Sequence, residues 1–393
     1  MTITSSRLQT VRPSATVAMT DRALQLRAQG RHIISFTAGE PDFDTPAHIV
    51  DAATQAMRRG QTRYTPVVGL ASLREAVAAT STQVRRVPAT ADNVIISTGA
   101  KQVLYNFFMA LLDPGDEVLI PAPYWVSYPD QVRLAGGTPV IVPTSPDRDW
   151  VPHTDDLDRA LTPKTRVLVL NSPANPTGAV YPRDALADIA QWASRHNLWV
   201  VSDEIYRELV YGDAAFHSPL TLAPPHHRRR ILVVDGLSKS HAMTGFRLGF
   251  GIAHPDLIAA MSVIQGQSTS CATSISQAAA LAALQGPGDF LPDWRNAYTR
   301  RRDQLISGLR QLPGVRCTLP AGAFYALPNV SAAAARLGAN ATDIDLAEHL
   351  LETAGVATVP GTPFGAPGHL RFSYAVNEDT IAQGLARMAD ALP

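Results

Sequence analysis

Seven short apolar runs, at residues 94–97, 117–120, 139–142, 167–170, 198–201, 231–234 and 248–252, alternate with helical patterns and turns through the middle of this chain. Strands this apolar are buried on both faces, and a helix between consecutive strands makes the sheet mainly parallel. The pattern therefore predicts an α/β fold with a seven-stranded, mainly parallel sheet covered by helices on both sides. The alternation stops near residue 285. Beyond it come a long helix signal over 293–310, short strands near 315–319 and 324–326, and a further strand at 370–374, which read as a smaller α+β domain. A chain of 393 residues with 46% apolar content has enough material for two or three domains.

Only three lysines occur, at 101, 164 and 239, so arginine supplies nearly all the positive charge. A lysine amine does what a guanidinium cannot: it can lose its proton and attack a carbonyl. Lys239 follows the run 231–234. A lone lysine in that position reads first as a solvated loop charge, but its neighbours favour another reading. Ser238 and Arg247 bracket it with a hydroxyl and a permanent cation, and Gly236, Gly245 and Gly249 let backbone approach closely, as an anionic phosphate requires. A Schiff-base amine beside a phosphate site points to pyridoxal 5'-phosphate.

Ligands of open α/β sheets bind beyond the carboxyl ends of the strands. Gly99, Tyr124 and Trp125, Asn175, Asp203 and Lys239 each follow a different strand. After Gly99, apolar Val103, Phe107 and Leu111 at four-residue spacing predict a helix over 100–112 that Pro114 and Gly115 stop. Its first amides, at Gly99 and Ala100, suit a phosphate. From the residues alone, Gly99 serves equally as a strand-to-helix turn, Asp203 as a helix N-cap, and Trp125 as core.

The segment 236–247, with Ser238, Lys239 and Arg247 in order, resembles the lysine attachment motif of the class I and II aminotransferases, which have the fold type I architecture. The resemblance runs from Arg12-Pro13-Ser14-Ala15-Thr16 to Leu370-Arg371-Phe372-Ser373-Tyr374 and is strongest to bacterial aspartate aminotransferases of the group that includes prephenate-using enzymes. It implies a division into residues 1–45, an N-terminal arm with part of the small domain; 46–285, the large cofactor-binding domain; and 286–393, the small domain.

The same resemblance assigns roles. Lys239 holds the cofactor and moves the substrate proton, Asp203 pairs with the pyridine nitrogen, and Tyr206 and Asn175 bond the ring oxygen. Trp125 stacks on the ring, and Gly99, Ala100, Lys101, Ser238 and Arg247 complete the cofactor site. Tyr64 reaches the phosphate in a neighbouring subunit, which implies a homodimer with shared sites. Arg371 and Gly39 bind the substrate α-carboxylate alongside Trp125 and Asn175, while Lys101 and Arg12 supply charge for a side-chain carboxylate. The implied reaction is ping-pong transfer between aspartate or glutamate and a 2-keto acid: 2-oxoglutarate, oxaloacetate or prephenate. Gly236 stands where some relatives have a phosphate-binding serine, and the distal-carboxylate arginine of the animal-type enzymes has no counterpart. A tailoring aminotransferase for a natural-product amino acid, a carbon–sulfur lyase, and the aminotransferase-like half of a transcription regulator remain as alternatives.

Other classes are disfavoured. Thirty-four basic residues balance thirty-four acidic ones and are interspersed with them, leaving no footprint for nucleic acid or an anionic membrane. The densest basic run, 226–230, reads as a solvated turn into the next strand. Cys271 and Cys317 cannot form a disulfide framework, have no metal-ligand spacing, and read as reduced and structural. No apolar run approaches the roughly 18 residues that span a bilayer, and the N-terminus lacks a secretory pattern, so the expected compartment is the cytoplasm.

Overall fold

The computed structural model describes residues 5–11 and 15–392. Its strands are β1 (Ile34–Ser35), β2 (Val94–Ser97), β3 (Glu117–Ala122), β4 (Thr138–Pro143), β5 (Thr165–Asn171), β6 (Trp199–Asp203), β7 (Ile231–Asp235), β8 (Gly249–Ile252), β9 (Tyr325–Ala326), β10 (Val356–Ala357), β11 (Val359–Pro360) and β12 (Leu370–Ser373). All seven apolar runs become strands of one sheet, in the order β2-β8-β7-β6-β5-β3-β4. Only β8 runs against its neighbours. The other pairings are parallel.

The burial pattern explains why all the runs but β4 read as continuously apolar; β4, at the edge of the sheet, is not buried on both faces, and its Ile141 is 38% exposed. Val94, Ile96, Leu168, Leu170, Ile231 and Val233 pack into a core on one face of the sheet. Their alternates Ile95, Val167, Val169, Leu232 and Val234 pack on the other. A strand clothed on both sides needs apolar residues at both phases of its two-residue period.

A third core, including Phe36, Phe324, Tyr325, Leu346, Phe372 and Ile381, lies among the C-terminal elements. The long helix Phe290–Gln311 contributes Tyr298, Leu305 and Leu309 to it. Here β11, β12 and β9 form a small antiparallel sheet, and β1 pairs in parallel with β10, Ile34 opposite Val356. The segment before residue 46 thus meets the C-terminal elements directly, and Arg301 Nη1 binds Asp42 Oδ1 at 2.8 Å across the junction. The strand expected at 315–319 does not form. Only an isolated bridge, Arg316 to Asn329, forms in that segment. No helix among the described residues is long and apolar enough to cross a membrane.

Candidate active site

Five parallel strands deliver their carboxyl ends to one cavity of about 360 Å³. Gly39, Ala100, Lys101, Trp125, Asn175, Asp203, Tyr206, Ser238, Lys239, Arg247 and Arg371 all line it. They come from positions up to 332 residues apart in sequence, and the sheet and the β11-β12-β9 unit bring them together.

Lys239, on the loop after β7, donates from Nζ to the Gly39 carbonyl at 2.6 Å. Gly39 thus turns its carbonyl to the lysine, a contact not foreseen for it. Burial pulls the Lys239 amine down to about 8, helped by Arg247 and Arg371 against the opposing pull of Glu40. At pH 7.5 roughly a quarter of such amines are neutral, against about 0.1% of ordinary lysines.

Asp203 ends β6 and is 5% exposed. Burial drives its carboxyl up to about 6, and the neighbouring Asp235 and Glu204 add to the rise. Two donors oppose it: the Tyr128 hydroxyl reaches Oδ2 at 2.6 Å and the Ile205 amide reaches Oδ1 at 3.3 Å. Tyr128 sits in the helix Ser127–Leu134, beyond β3.

The opposite end of the cavity is built from backbone. Gly99 has φ of 86°, and a Cβ there would lie 2.7 Å from Arg247 Nη2. A Cβ on Gly249 would strike the Ala100 nitrogen, so β8 and the first turn of helix Ala100–Leu111 touch main chain to main chain. The Gly99 amide does not stay free as expected, since it donates to Ser97 O at 2.8 Å. The first-turn amides of Ala100 and Lys101, by contrast, have no intrahelical acceptor. Arg247 Nη1 is steadied by Thr244 O at 2.9 Å.

Arg371, on β12, is 2% exposed. Its Nη1 meets Asn175 Oδ1 at 3.2 Å and its Nη2 meets Thr37 O at 2.7 Å, while Nε finds no partner. The Tyr325 ring lies 4.7 Å beneath the guanidinium. The Tyr325 hydroxyl is 2.9 Å from that of Tyr206. Lys101 Nζ stands 4.9 Å over the Trp125 ring, and desolvation followed by Arg247 lowers its pKa.

Of the residues expected in the site, Tyr64 and Gly99 are not among those that line this cavity. Tyr64 is 91% exposed and outside the cavity. Gly236 also lies outside it, packed against Ile205. Arg12 falls outside the described residues. No group of three or more potential metal ligands occurs among the described residues.

Residues 31–388 match the profile of the family described as aminotransferase class I and II. The chain belongs to that family. It is 46% identical over 391 residues to a probable aspartate/prephenate aminotransferase of Thermus aquaticus, covering 99% of each protein. It is equally identical to the aspartate/prephenate aminotransferase of Thermus thermophilus, covering 99% of this chain and 98% of that protein. Among solved structures, the Thermus thermophilus aspartate aminotransferase with maleate superposes with a TM-score of 0.94 at 44% identity, over 100% of both chains. The Rhizobium meliloti enzyme does so with 0.95 at 39%, over 100% of this chain and 99% of that one. The fold is therefore that of an aspartate aminotransferase, and the protein is an aminotransferase.

Within this aminotransferase fold, buried charges fix the two strand exits that carry Asp203 and Lys239. Arg85, 1% exposed, closes the helix Ala71–Arg85 and binds Glu204 Oε2 through Nε at 2.8 Å and Asp235 Oδ2 through Nη2 at 2.8 Å. Arg207 Nε joins Asp235 Oδ2 at 2.7 Å. Glu204 follows Asp203 and Asp235 precedes the Lys239 loop, so one guanidinium ties both together. Asn171 does the same across β5, donating from Nδ2 to Asp203 O at 3.0 Å and accepting the Asn175 amide at 2.9 Å. Sequence reasoning missed Arg85, Tyr128, Asn171 and Tyr325.

Proposed function

We propose that this aminotransferase binds pyridoxal 5'-phosphate and exchanges amino groups between an acidic L-amino acid and a 2-keto acid. The observation that carries the reading is one of unmatched charge. Lys239, Asp203 and Arg371 share a single cavity, and none of them pairs with another or with any other ion within 4.0 Å among the described residues. A buried guanidinium without an anion costs several kcal/mol, about what a bound carboxylate returns. A buried carboxylate raised to about 6 is likewise stabilised by an incoming cation.

The residues fit the cofactor. Gly99 and Gly249 let Arg247 and the first turn of helix Ala100–Leu111 pack closely together, so that Ser238, Arg247 and the first-turn amides would hold a phosphate there. Asp203 would pair with the ring nitrogen, Asn175 and Tyr206 would bond the ring oxygen, and Trp125 would stack on the ring, all four lining the same cavity. When bound, the cofactor supplies an electron sink for the pair left as a substrate Cα–H bond breaks. Lys239 Nζ, being partly neutral near physiological pH, takes that Cα proton and returns it. Arg371 has N–H bonds to spare beyond Asn175 and Thr37 and grips the α-carboxylate, with Asn175 fixing the plane of the fork. Lys101, lining the cavity with Trp125, receives the distal carboxylate, a role that the family resemblance also gives to Arg12, outside the described residues. The maleate named for the Thermus thermophilus structure is a four-carbon dicarboxylate, which supports the acidic substrates. The names of the relatives bring in aspartate as donor and prephenate as one acceptor, beside 2-oxoglutarate and oxaloacetate.

Two further parts belong to this proposal. A tyrosine as exposed as Tyr64 suits a homodimer in which each chain completes its partner's phosphate site. Unpaired Cys271 and Cys317 suit a reducing, cytoplasmic setting. The test is a panel of amino acids mixed with the holoenzyme and 2-oxoglutarate. Fastest keto-acid formation from aspartate and glutamate is expected, whereas release of ammonia and pyruvate would replace transfer with lyase chemistry.

A further inference from the structure

Another cavity lies at the opposite, amino ends of the strands, where β6 begins at Trp199 and β7 begins at Ile231. It encloses about 580 Å³ and is walled by His226, His227, Arg229, Arg230, His254 and Trp199, with Asp256 the one carboxylate among its lining residues. We infer that this cavity is a second ligand site, for a small polyanion carrying phosphate or carboxylate groups.

The charge here is not neutralised from within. Arg230 makes no ion pair among the described residues. Its guanidinium instead lies 5.5 Å from the Trp199 ring centroid, an arrangement that orients the cation without discharging it. Arg229 approaches Asp256 only to 3.8 Å, with the two side chains 65% and 79% exposed, and a pair so solvated is worth little. His226 Nε2 is engaged by Ser194 Oγ at 3.1 Å, and His254 Nδ1 by the Asp256 amide at 3.3 Å, with the solvated Asp256 carboxylate also 3.3 Å from it. Burial, followed by Arg229 and Arg166, presses the Arg230 guanidinium below its usual pKa, the direction a cation takes when other cations crowd it.

A second observation comes from His227. It is 2% exposed, yet its Nε2 meets no hydrogen-bond partner. An orphaned buried polar atom costs about 1–3 kcal/mol, and a turn of this wall-lining imidazole toward an anion in the cavity would give it an acceptor. The run 226–230, expected as a solvated turn, is thus a 3-10 turn, Pro225–Arg230, with His227 packed inward. The site is concave and bounded by Leu111 at the end of helix Ala100–Leu111 and Leu257 in the first turn of helix Pro255–Gly266. That shape admits a compact molecule rather than a duplex or a membrane surface.

Isothermal titration of the holoenzyme with inorganic pyrophosphate, and separately with citrate, tests the inference. The cofactor's own phosphate site is filled in that form. One saturable site per chain with Kd below ~1 mM is expected for at least one of the two probes, and which one binds tells a phosphate ligand from a polycarboxylate. Arg229→Ala, on an exposed turn where folding is not at risk, and Arg230→Ala are each expected to weaken binding by about tenfold or more. Arg371→Lys should leave it unchanged. No saturable heat from either probe would overturn the inference, as would binding that survives in both the Arg229 and Arg230 variants or disappears in the Arg371 variant.

Discussion

The Tyr128 hydroxyl donates to Asp203 Oδ2 at 2.6 Å, and both side chains are buried where β6 ends. This bond favours the ionised carboxylate against burial and against Glu204 and Asp235. A hydrogen bond to a charged group is worth about 1.5–3 kcal/mol. In Tyr128→Phe the Asp203 carboxyl should titrate higher than about 6, so kcat/KM should fall roughly tenfold near pH 7, with a smaller loss at higher pH. The pH profile checks this: the acid limb should move upward, whereas a merely structural tyrosine would lower the whole profile evenly.

Asp203 also sets a pH-dependent stability. Its folded pKa is raised from 3.8 to about 6. Its contribution is therefore fully present below about pH 4 and is lost as pH rises through 6. In the cofactor-stripped enzyme, Asp203→Asn should be more stable than the parent by about 3 kcal/mol at pH 7.5 and equal to it near pH 3.5. Urea melts at the two pH values measure the difference. With cofactor bound, the order should reverse, because the ring nitrogen then supplies the cation that the carboxylate lacks.

Arg371→Lys keeps a charge but loses the planar fork that Asn175 and Thr37 hold. The KM for every amino donor should rise, and kcat/KM should fall roughly a hundredfold, about 3 kcal/mol. Cofactor affinity, followed by spectroscopic titration, should change little.

Lys101→Gln should act on selectivity alone. Its amine stands over Trp125 at the cavity edge. The kcat/KM for aspartate should drop about tenfold or more while that for alanine holds. An equal loss for both substrates would remove Lys101 from side-chain recognition.

Tyr64 gives a test of assembly. When Tyr64→Ala and Lys239→Ala chains are co-expressed and mixed dimers are isolated, one site in each should contain both native residues and bind the cofactor with parental affinity. If Tyr64 serves its own chain, no site recovers.

The sheet was legible because strands clothed on both faces must be apolar throughout, and the five strand exits followed from that. The residues at those exits were legible because lysine is rare here and the motifs keep their order. Tyr128 was not, although it lies three residues past Trp125. Its use depends on which way the helix Ser127–Leu134 turns toward a carboxylate 75 residues later. Arg85 is one of many arginines by sequence, and only the packing of its helix against β2 and β8 brings its guanidinium to Glu204 and Asp235. Tyr325 belongs to a two-residue strand with no periodicity to read. The segment 315–319 misled because a short run does not reveal whether a partner strand is available to it.

The central claim is that Lys239 carries the cofactor, and the scarcity of lysine makes the test clean. Borohydride reduction of the holoenzyme, followed by peptide mapping, should place the pyridoxyl mass on Lys239 and leave Lys101 and Lys164 unmodified. Label on either of those two, or protein that binds pyridoxal phosphate without any reducible attachment, would contradict the account.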